Sequence, residues 1–379
     1  MSDALSTDLL YQISITMVPQ VGAVHARSLV DAFASAREIF NAPLHQLEKV
    51  EGIGTVRART IRKFNEFKRA EKEIRFIEKF GIRPIFINSS EYPRRLLHCY
   101  DPPTMLYYKG IADLNAECCI AIVGTRNNSN YGKQVTEGFI NEIAQTGVTI
   151  VSGLAFGIDT IAHRTALKCE LPTIAVLAHG LDTIYPMENN SLARTIVKSG
   201  GLLTEFMSGT APDKHNFPSR NRIVAGITDA TLLIETGVKG GSMITADLAS
   251  SYDRDVFALP GKITDSKSQG CNQLIQQNKA ILFNGSEHFI QTMGWSKELN
   301  RPPVQQELFP EISASERAIL ETFREREAMH IDEIQLASGL PMGKLSSELL
   351  ALEMKDLITS LPGKRFQLHF QLSQKNHLA

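Results

Sequence analysis

Short apolar runs alternate with amphipathic stretches through most of the chain. From residue 76 to 292 the runs are IRPIFIN (82–88), CIAIVG (119–124), VTIVSG (148–153), TIAVLAHG (173–180), GLLTEF (201–206), ATLLIET (230–236) and DVFALPG (255–261). They are close to continuously hydrophobic, as expected of strands covered on both faces. Between them, stretches such as GKQVTEGFINEIAQTG (132–147) and AHRTALKC (162–169) read as helices. This alternation predicts an α/β fold, a Rossmann-like core built on a mainly parallel sheet. Several of the runs end in glycine, and open α/β sheets bind ligands at the carboxyl ends of their strands.

The flanks have a different pattern. Residues 1–75 read as a helical domain, helix-hairpin-helix or SAM-like. Two similar phrases, VPQVGAVHARSLVDAF (18–33) and VEGIGTVRARTIRKF (50–64), each place a glycine turn before an amphipathic helix. Residues 55–75 hold eight Lys and Arg against three Glu. Such hairpins offer amides to phosphates, and they also serve as protein–protein modules; both readings stand. Residues 293–313, with three prolines, predict a linker. Residues 314–373 read as a winged helix: a helix, a helix-turn-helix, and a hairpin around Pro362-Gly363. Its acidic residues Asp332, Glu333, Glu348 and Glu353 suit a protein partner better than DNA.

Composition narrows the possibilities. With 43% hydrophobic and 21% charged residues among 379, the chain can build a sizeable core. The net charge of -1 leaves any basic surface to be local. Cys99, Cys118, Cys119, Cys169 and Cys271 have no metal-binding spacing and predict free thiols in a reducing compartment. No basic leader and no apolar run of about 18 residues occurs, so a cytoplasmic location away from membranes is expected. No P-loop, HExxH or GxSxG string is present, and GIGTVR (52–57) follows no strand and lacks the third glycine of a dinucleotide fingerprint.

Four strings carry candidate chemistry. IVGTRNNSNYG (122–132) supplies Gly124 for close backbone approach, the Thr125 hydroxyl, and Arg126 to fork a phosphate. VSGLAFGIDTIAH (151–163) contains Ser152, Gly153, Gly157, Asp159 and His163. In NFPSRNRIVAG (216–226), Arg220 and Arg222 flank Asn221. In GVKGGSMITADLA (237–249), Gly240, Gly241 and Ser242 precede a helix start with Thr245 in its first turn, an arrangement that attracts anions. Together they predict a phosphate-binding cleft, for a nucleotide or a polymer.

In this order, IVGTR, SGLAFGIDTIAH, AVLAHGLDTIYPMEN, FPSRNRIVAG, GGSMITADLA and VFALPG resemble the core of the DprA/Smf family, over roughly residues 90–285. EYPRRLLHCYDPPTMLYYKG (91–110) looks like that family's lead-in to the core. The resemblance implies a homodimer, not an enzyme and without a cofactor or metal, that binds single-stranded DNA and delivers it to the RecA recombinase during natural transformation. It implies that Gly124, Thr125 and Arg126 grip a phosphate. Gly241, Ser242, Met243, Ile244 and Thr245 would form the facing loop. Arg220, Asn221 and Arg222 would add contacts, with Arg222 alternatively a buttress, and Asp159 and His163 would tie a helix to the loops. Phe156, Tyr131, His215 and Phe217 are candidate stacking partners by sequence proximity. One departure is Gly240, where the family often has serine. The rival reading is a nucleoside-monophosphate phosphoribohydrolase. Such enzymes carry PGGxGTxxE, whereas this chain reads KGGSMITAD, ending in Asp247. Glu205 and Glu235 would then be the candidate acid or base. A third reading is an adaptor working through the winged helix.

Overall fold

The apolar runs become strands of one nine-stranded sheet. The computed structural model describes residues 2–33, 35–295, 313–323, 328–355, 357–361 and 363–368. The strands are β1 (Arg83–Phe86), β2 (Met105–Gly110), β3 (Cys119–Gly124), β4 (Thr149–Ser152), β5 (Thr173–Val176), β6 (Gly201–Thr204), β7 (Ala230–Ile234), β8 (Asp255–Ala258) and β9 (Ile281–Leu282). Their order is β1-β2-β6-β5-β4-β3-β7-β8-β9. The β6-to-β9 portion is parallel, whereas β1 and β2 add an antiparallel edge. Neither β2 nor the two-residue β9 is among the strands expected from the apolar runs.

Helices α1 (Ser2–Met17), α2 (Ala23–Ala32), α3 (Ala36–Asn41), α4 (Leu44–Leu47), α5 (Gly54–Lys63) and α6 (Phe67–Phe80) precede the sheet. The compositional change near residue 75 falls inside α6, and the buried Ala70, Ile74 and Ile77 of that helix share one apolar core with Ile85 and Leu106. The hairpin before α5 uses Gly52 and Gly54 at positive φ, 79° and 57°. Arg57 locks the two similar phrases together, donating to the Gln20 and Gly52 carbonyls, each at 3.0 Å.

Then come α7 (Arg94–Leu97), α8 (Asn130–Ile143), α9 (Ile158–Lys168), α10 (Asn190–Ser199), α11 (Asn216–Gly226), α12 (Gly241–Ser251), α13 (Gln269–Gln276) and α14 (Ser286–Met293). Successive residues of β3 face opposite ways. Ile120 and Ile122 join Phe139 and Ile140 of α8, whereas Ala121 and Val123 join Ala246 and Ala249 of α12 in the other core. Burial on both faces is why the runs read as continuous rather than alternating. The chain moves from β3 through β4 and β5 to β6 on one side, then returns to β7 on the other. Because α8 and α12 leave to opposite faces, a crevice opens at the carboxyl ends of β3 and β7.

Residues 1–299 form one compact unit and 300–379 a second. The second contains α15 (Ala314–Thr322), β10 (Ala328–His330), α16 (Ile331–Ser338), α17 (Met342–Met354), β11 (Ile358–Leu361) and β12 (Arg365–Leu368). Its antiparallel sheet, ordered β10-β12-β11, packs on Ile319, Ile334, Leu345, Leu349 and Leu352, the winged-helix arrangement. Most of the expected linker, from 296 to 312, and Pro362 of the hairpin lie outside the described residues.

Candidate functional site

The crevice is a cleft of about 460 Å³ lined by residues of all four strings. Its first wall is the loop after β3. A Cβ on Gly124 would collide with the Ile234 carbonyl and the Ile158 side chain, so only glycine lets β3 and β7 end this close together. The Thr125 amide donates to the Glu235 carbonyl at 2.8 Å, and its hydroxyl accepts from the Asn127 amide at 3.2 Å. Gly157, at φ 76°, packs directly against the backbone of Thr125 and Arg126. The loop is thus braced, while the Arg126 side chain is exposed, its guanidinium 5.4 Å from the centre of the Phe217 ring.

The facing wall is the start of α12. Gly240 caps this helix with extended backbone and no side-chain hydrogen bond, leaving first-turn amides and the positive end of the helix dipole toward the cleft. Ile244 and Thr245 also line it, but Met243 packs against the apolar core instead. The Ser242 hydroxyl donates to Thr236 Oγ1 at 2.7 Å, so what this residue has to offer an anion is its amide. The missing serine at 240 also has a cause: a side chain there would strike Thr236 Oγ1.

Helix α11 forms the floor, and it separates two arginines that the sequence shows side by side. Residues two apart on a helix point about 200° from one another. Arg220 is buried beneath the cleft and donates to the Gly153 and Val176 carbonyls, with Nε to Asn221 Oδ1 at 3.2 Å. Burial brings its pKa down to about 10, aided by Arg126 and opposed by Asp159, so it remains charged at neutral pH. Arg222 is not in the cleft: it donates to the Asp101 carbonyl and to Glu205 Oε2. Its role as a further cleft contact is therefore corrected to that of a buttress.

The supporting residues hold this frame. Asp159 accepts from the Gly153 and Ala155 amides at 3.1 and 3.3 Å; burial pushes its carboxyl up, with Arg220 opposing. Ser152 Oγ donates to the Ile122 carbonyl at 2.7 Å. His163 is fully buried away from the cleft, 2.7 Å from Thr173 Oγ1. Since that hydroxyl gives its proton to the Ile150 carbonyl, His163 Nδ1 is the donor.

Of the aromatic candidates, Phe217 lines the cleft and Phe156 an adjoining recess with Tyr185 and Pro186. Tyr131 and His215 are exposed and line neither. Sequence reading passed over Tyr185, whose ring centre is 6.2 Å from that of Phe217, and Lys214, which lines the cleft. Tyr185 lies within the quoted AVLAHGLDTIYPMEN and Lys214 just before NFPSRNRIVAG, both in loops where no periodicity marks direction.

The carboxylates of the rival reading are elsewhere. Glu235 is buried and accepts from the Ser129 amide at 2.7 Å and from its hydroxyl, helping to cap α8. Glu205 is tied to Arg222, and Asp247 lies 3.6 Å from Lys279. Among the described residues no cluster of His, Cys, Asp or Glu is suited to a metal, and no helix is long and apolar enough to cross a membrane.

Comparison with known proteins bears on the family and the fold. The family described as DNA recombination-mediator protein A matches residues 83–294, the DprA winged helix domain 301–364, and a helix-hairpin-helix motif 10–74. Protein Smf of Synechocystis sp. is 32% identical over 398 residues, covering 96% of this chain and 99% of its own. Protein Smf of Escherichia coli is 34% identical over 308 residues, 78% of this chain and 80% of its own. The solved structure of DprA from Streptococcus pneumoniae superposes with a TM-score of 0.64 at 31% identity, over 74% of this chain and 97% of that one. DprA from Helicobacter pylori, studied for its unique single-stranded-DNA-binding mode, gives 0.52 at 33% identity, over 56% and 96%. With the motifs, the sheet order and the winged helix all in place, this chain belongs to the DprA/Smf family.

Proposed function

We propose that the cleft binds the backbone of single-stranded DNA, and that the protein is a non-enzymatic, cytoplasmic homodimer which delivers that strand to the RecA recombinase during natural transformation. The observation that carries the reading is the meeting of an exposed arginine and an uncapped helix start across one cleft. A phosphate seated there takes two N–H groups of Arg126 and the amides of Gly241 and Ser242. Lys214 adds charge, and buried Arg220 gives the floor a fixed positive potential. Phe217, Phe156 and Tyr185 offer flat surfaces beside the phosphate, which suits bases of any identity. A dimer would present two such clefts to one strand and hold it extended for the recombinase.

The test is binding of labelled oligo-dT, single-stranded against duplex, across a salt series for wild type and Arg126→Ala. Preference for the single strand that weakens with salt and is lost in the variant supports the reading. Sedimentation of the protein alone reports the dimer, and recombinase assembly on the bound strand reports delivery. Release of free base from nucleoside monophosphates, with indifference to DNA, would replace this reading with the phosphoribohydrolase.

A further inference from the structure

The basic excess before residue 76 is not used up by the fold. Arg57 and Arg62 are spent on backbone carbonyls, and Arg69 on Glu73 and the Ser208 carbonyl. In contrast, Lys68, Lys72, Arg75 and Lys79 are all exposed and recur at i, i+4, i+7 and i+11, one face of α6. Among the described residues none of the four makes an ion pair; Glu71 and Glu78 lie to one side of the row. Like charges at this spacing repel, a cost that Glu71 and Glu78, three or four residues from Lys68 and Arg75, only partly offset.

Beside the end of the row, in the last turn of α6, lies an aromatic pair. Phe80 is 43% exposed, its ring centre 4.7 Å from that of Phe76 and tilted 49° to it, with Lys79 Nζ 5.3 Å and Lys109 Nζ 5.8 Å from its ring centre. Cations beside an open ring are the chemistry that holds a nucleic-acid strand by its phosphates and its bases.

The row is also rigidly held and connected to the cleft. On another face of α6, buried Glu73 accepts from the Ser208 amide at 2.9 Å and from its hydroxyl at 2.6 Å. Next to Ser208, the Gly209 amide donates to Asp182 Oδ1 at 2.9 Å, in the loop that bears Tyr185. Tyr185 in turn neighbours Phe217 in the cleft.

We infer that the exposed face of α6, from Lys68 to Phe80 with Lys109, is a second binding surface that takes the same single strand after it leaves the cleft past Tyr185. It is about 18 Å long at 1.5 Å per residue, enough for several phosphates. The occupant is an extended polyanion, because the site offers spaced charges rather than a pocket. This inference rests on the reading of the cleft as a strand site, and the experiment separates the two.

The measurement is the affinity of the full chain for oligo-dT of about six and about forty nucleotides, lengths on either side of what one cleft holds. Wild type, Arg126→Ala and the triple variant Lys68→Ala/Lys72→Ala/Arg75→Ala are compared. The triple variant is expected to bind the short strand as wild type does, which also reports that it is folded. On the long strand it should lose about tenfold in affinity, with the salt slope smaller by about 2, three contacts at roughly 0.7 each. If it matches wild type on the long strand while Arg126→Ala fails on both lengths, the α6 surface is overturned and the cleft stands. If Arg126→Ala binds the short strand normally, the cleft reading fails, whatever the triple variant does. A loss confined to duplex DNA would make the occupant a duplex and overturn the inference.

Discussion

Arg220 and Arg126 are both cleft arginines, yet their removal should have opposite consequences. Arg220 is buried against Asp159, the Gly153 and Val176 carbonyls and Asn221. Arg220→Leu leaves a buried carboxylate uncompensated and two carbonyls unpaired, and should cost about 3–5 kcal/mol of stability. Arg126→Ala, at an exposed side chain, should shift stability by less than about 0.5 kcal/mol while abolishing strand binding. Chemical denaturation of both variants checks the pair. His163 makes a prediction with a definite sign. Burial holds its pKa down to about 3, against 6.5 in the unfolded chain. Between those values the unfolded state takes up a proton that the folded state refuses, so stability falls as pH falls, by about 1.4 kcal/mol per unit from this residue. Stability measured from pH 7 to 4.5 should therefore show a shallower acid decline in His163→Gln. An unchanged slope would mean that other groups govern the decline. The string SRNR left Arg222 open, as a contact or a buttress, until helix geometry sent Arg220 to the cleft floor and Arg222 to Glu205.

The elements explain both what could be read early and what could not. Seven strands were legible because burial on two faces makes their sequences continuous. Strand β2 follows Pro102 and Pro103 and runs antiparallel on the outer side of β6, so no strand–helix rhythm marks it. Strand β9 has two residues, too few for any pattern. The string at 216–226, quoted for its chemistry without an element assigned, is α11, with Pro218 in the first turn where the missing N–H costs nothing. The start of α12 was placed correctly on a helix N-terminus by its glycines. The job of the Ser242 hydroxyl was hidden because Thr236, its acceptor, lies on the preceding loop. Ser242→Ala should then cost about 1 kcal/mol of stability through the lost bond and leave strand affinity within about twofold, since the amide remains. Gly240→Ser, which supplies the serine that the family resemblance leads one to expect, should weaken binding here unless Thr236 is also made smaller, because the new side chain needs the space that Thr236 Oγ1 fills. Titration of the single and double variants with oligo-dT reads that coupling directly, as recovery in Gly240→Ser/Thr236→Ala.

For the whole molecule, a net charge of -1 conceals how unevenly charge is deployed. The cleft and the α6 row both belong to the unit over residues 1–299. The winged helix is different. Its helix α17 carries one lysine, Lys344, against Glu348 and Glu353, and it exposes Leu350 and Met354 at 59% and 82%. A helix that reads DNA by its backbone needs cations facing phosphates, and α17 does not present them. Its exposed leucine and methionine match the anchors of protein recognition instead. The chain ended at residue 299 should therefore bind single strands within about threefold of the full protein, with a salt slope differing by less than about 0.7, the contribution of one contact. Recombinase assembly on the strand, measured with the same truncation, assigns the winged helix. If assembly fails while binding holds, the winged helix is the protein-facing domain and the two units divide the work. If binding itself collapses, the strand path extends beyond the first unit, and the charge argument drawn from α17 is wrong.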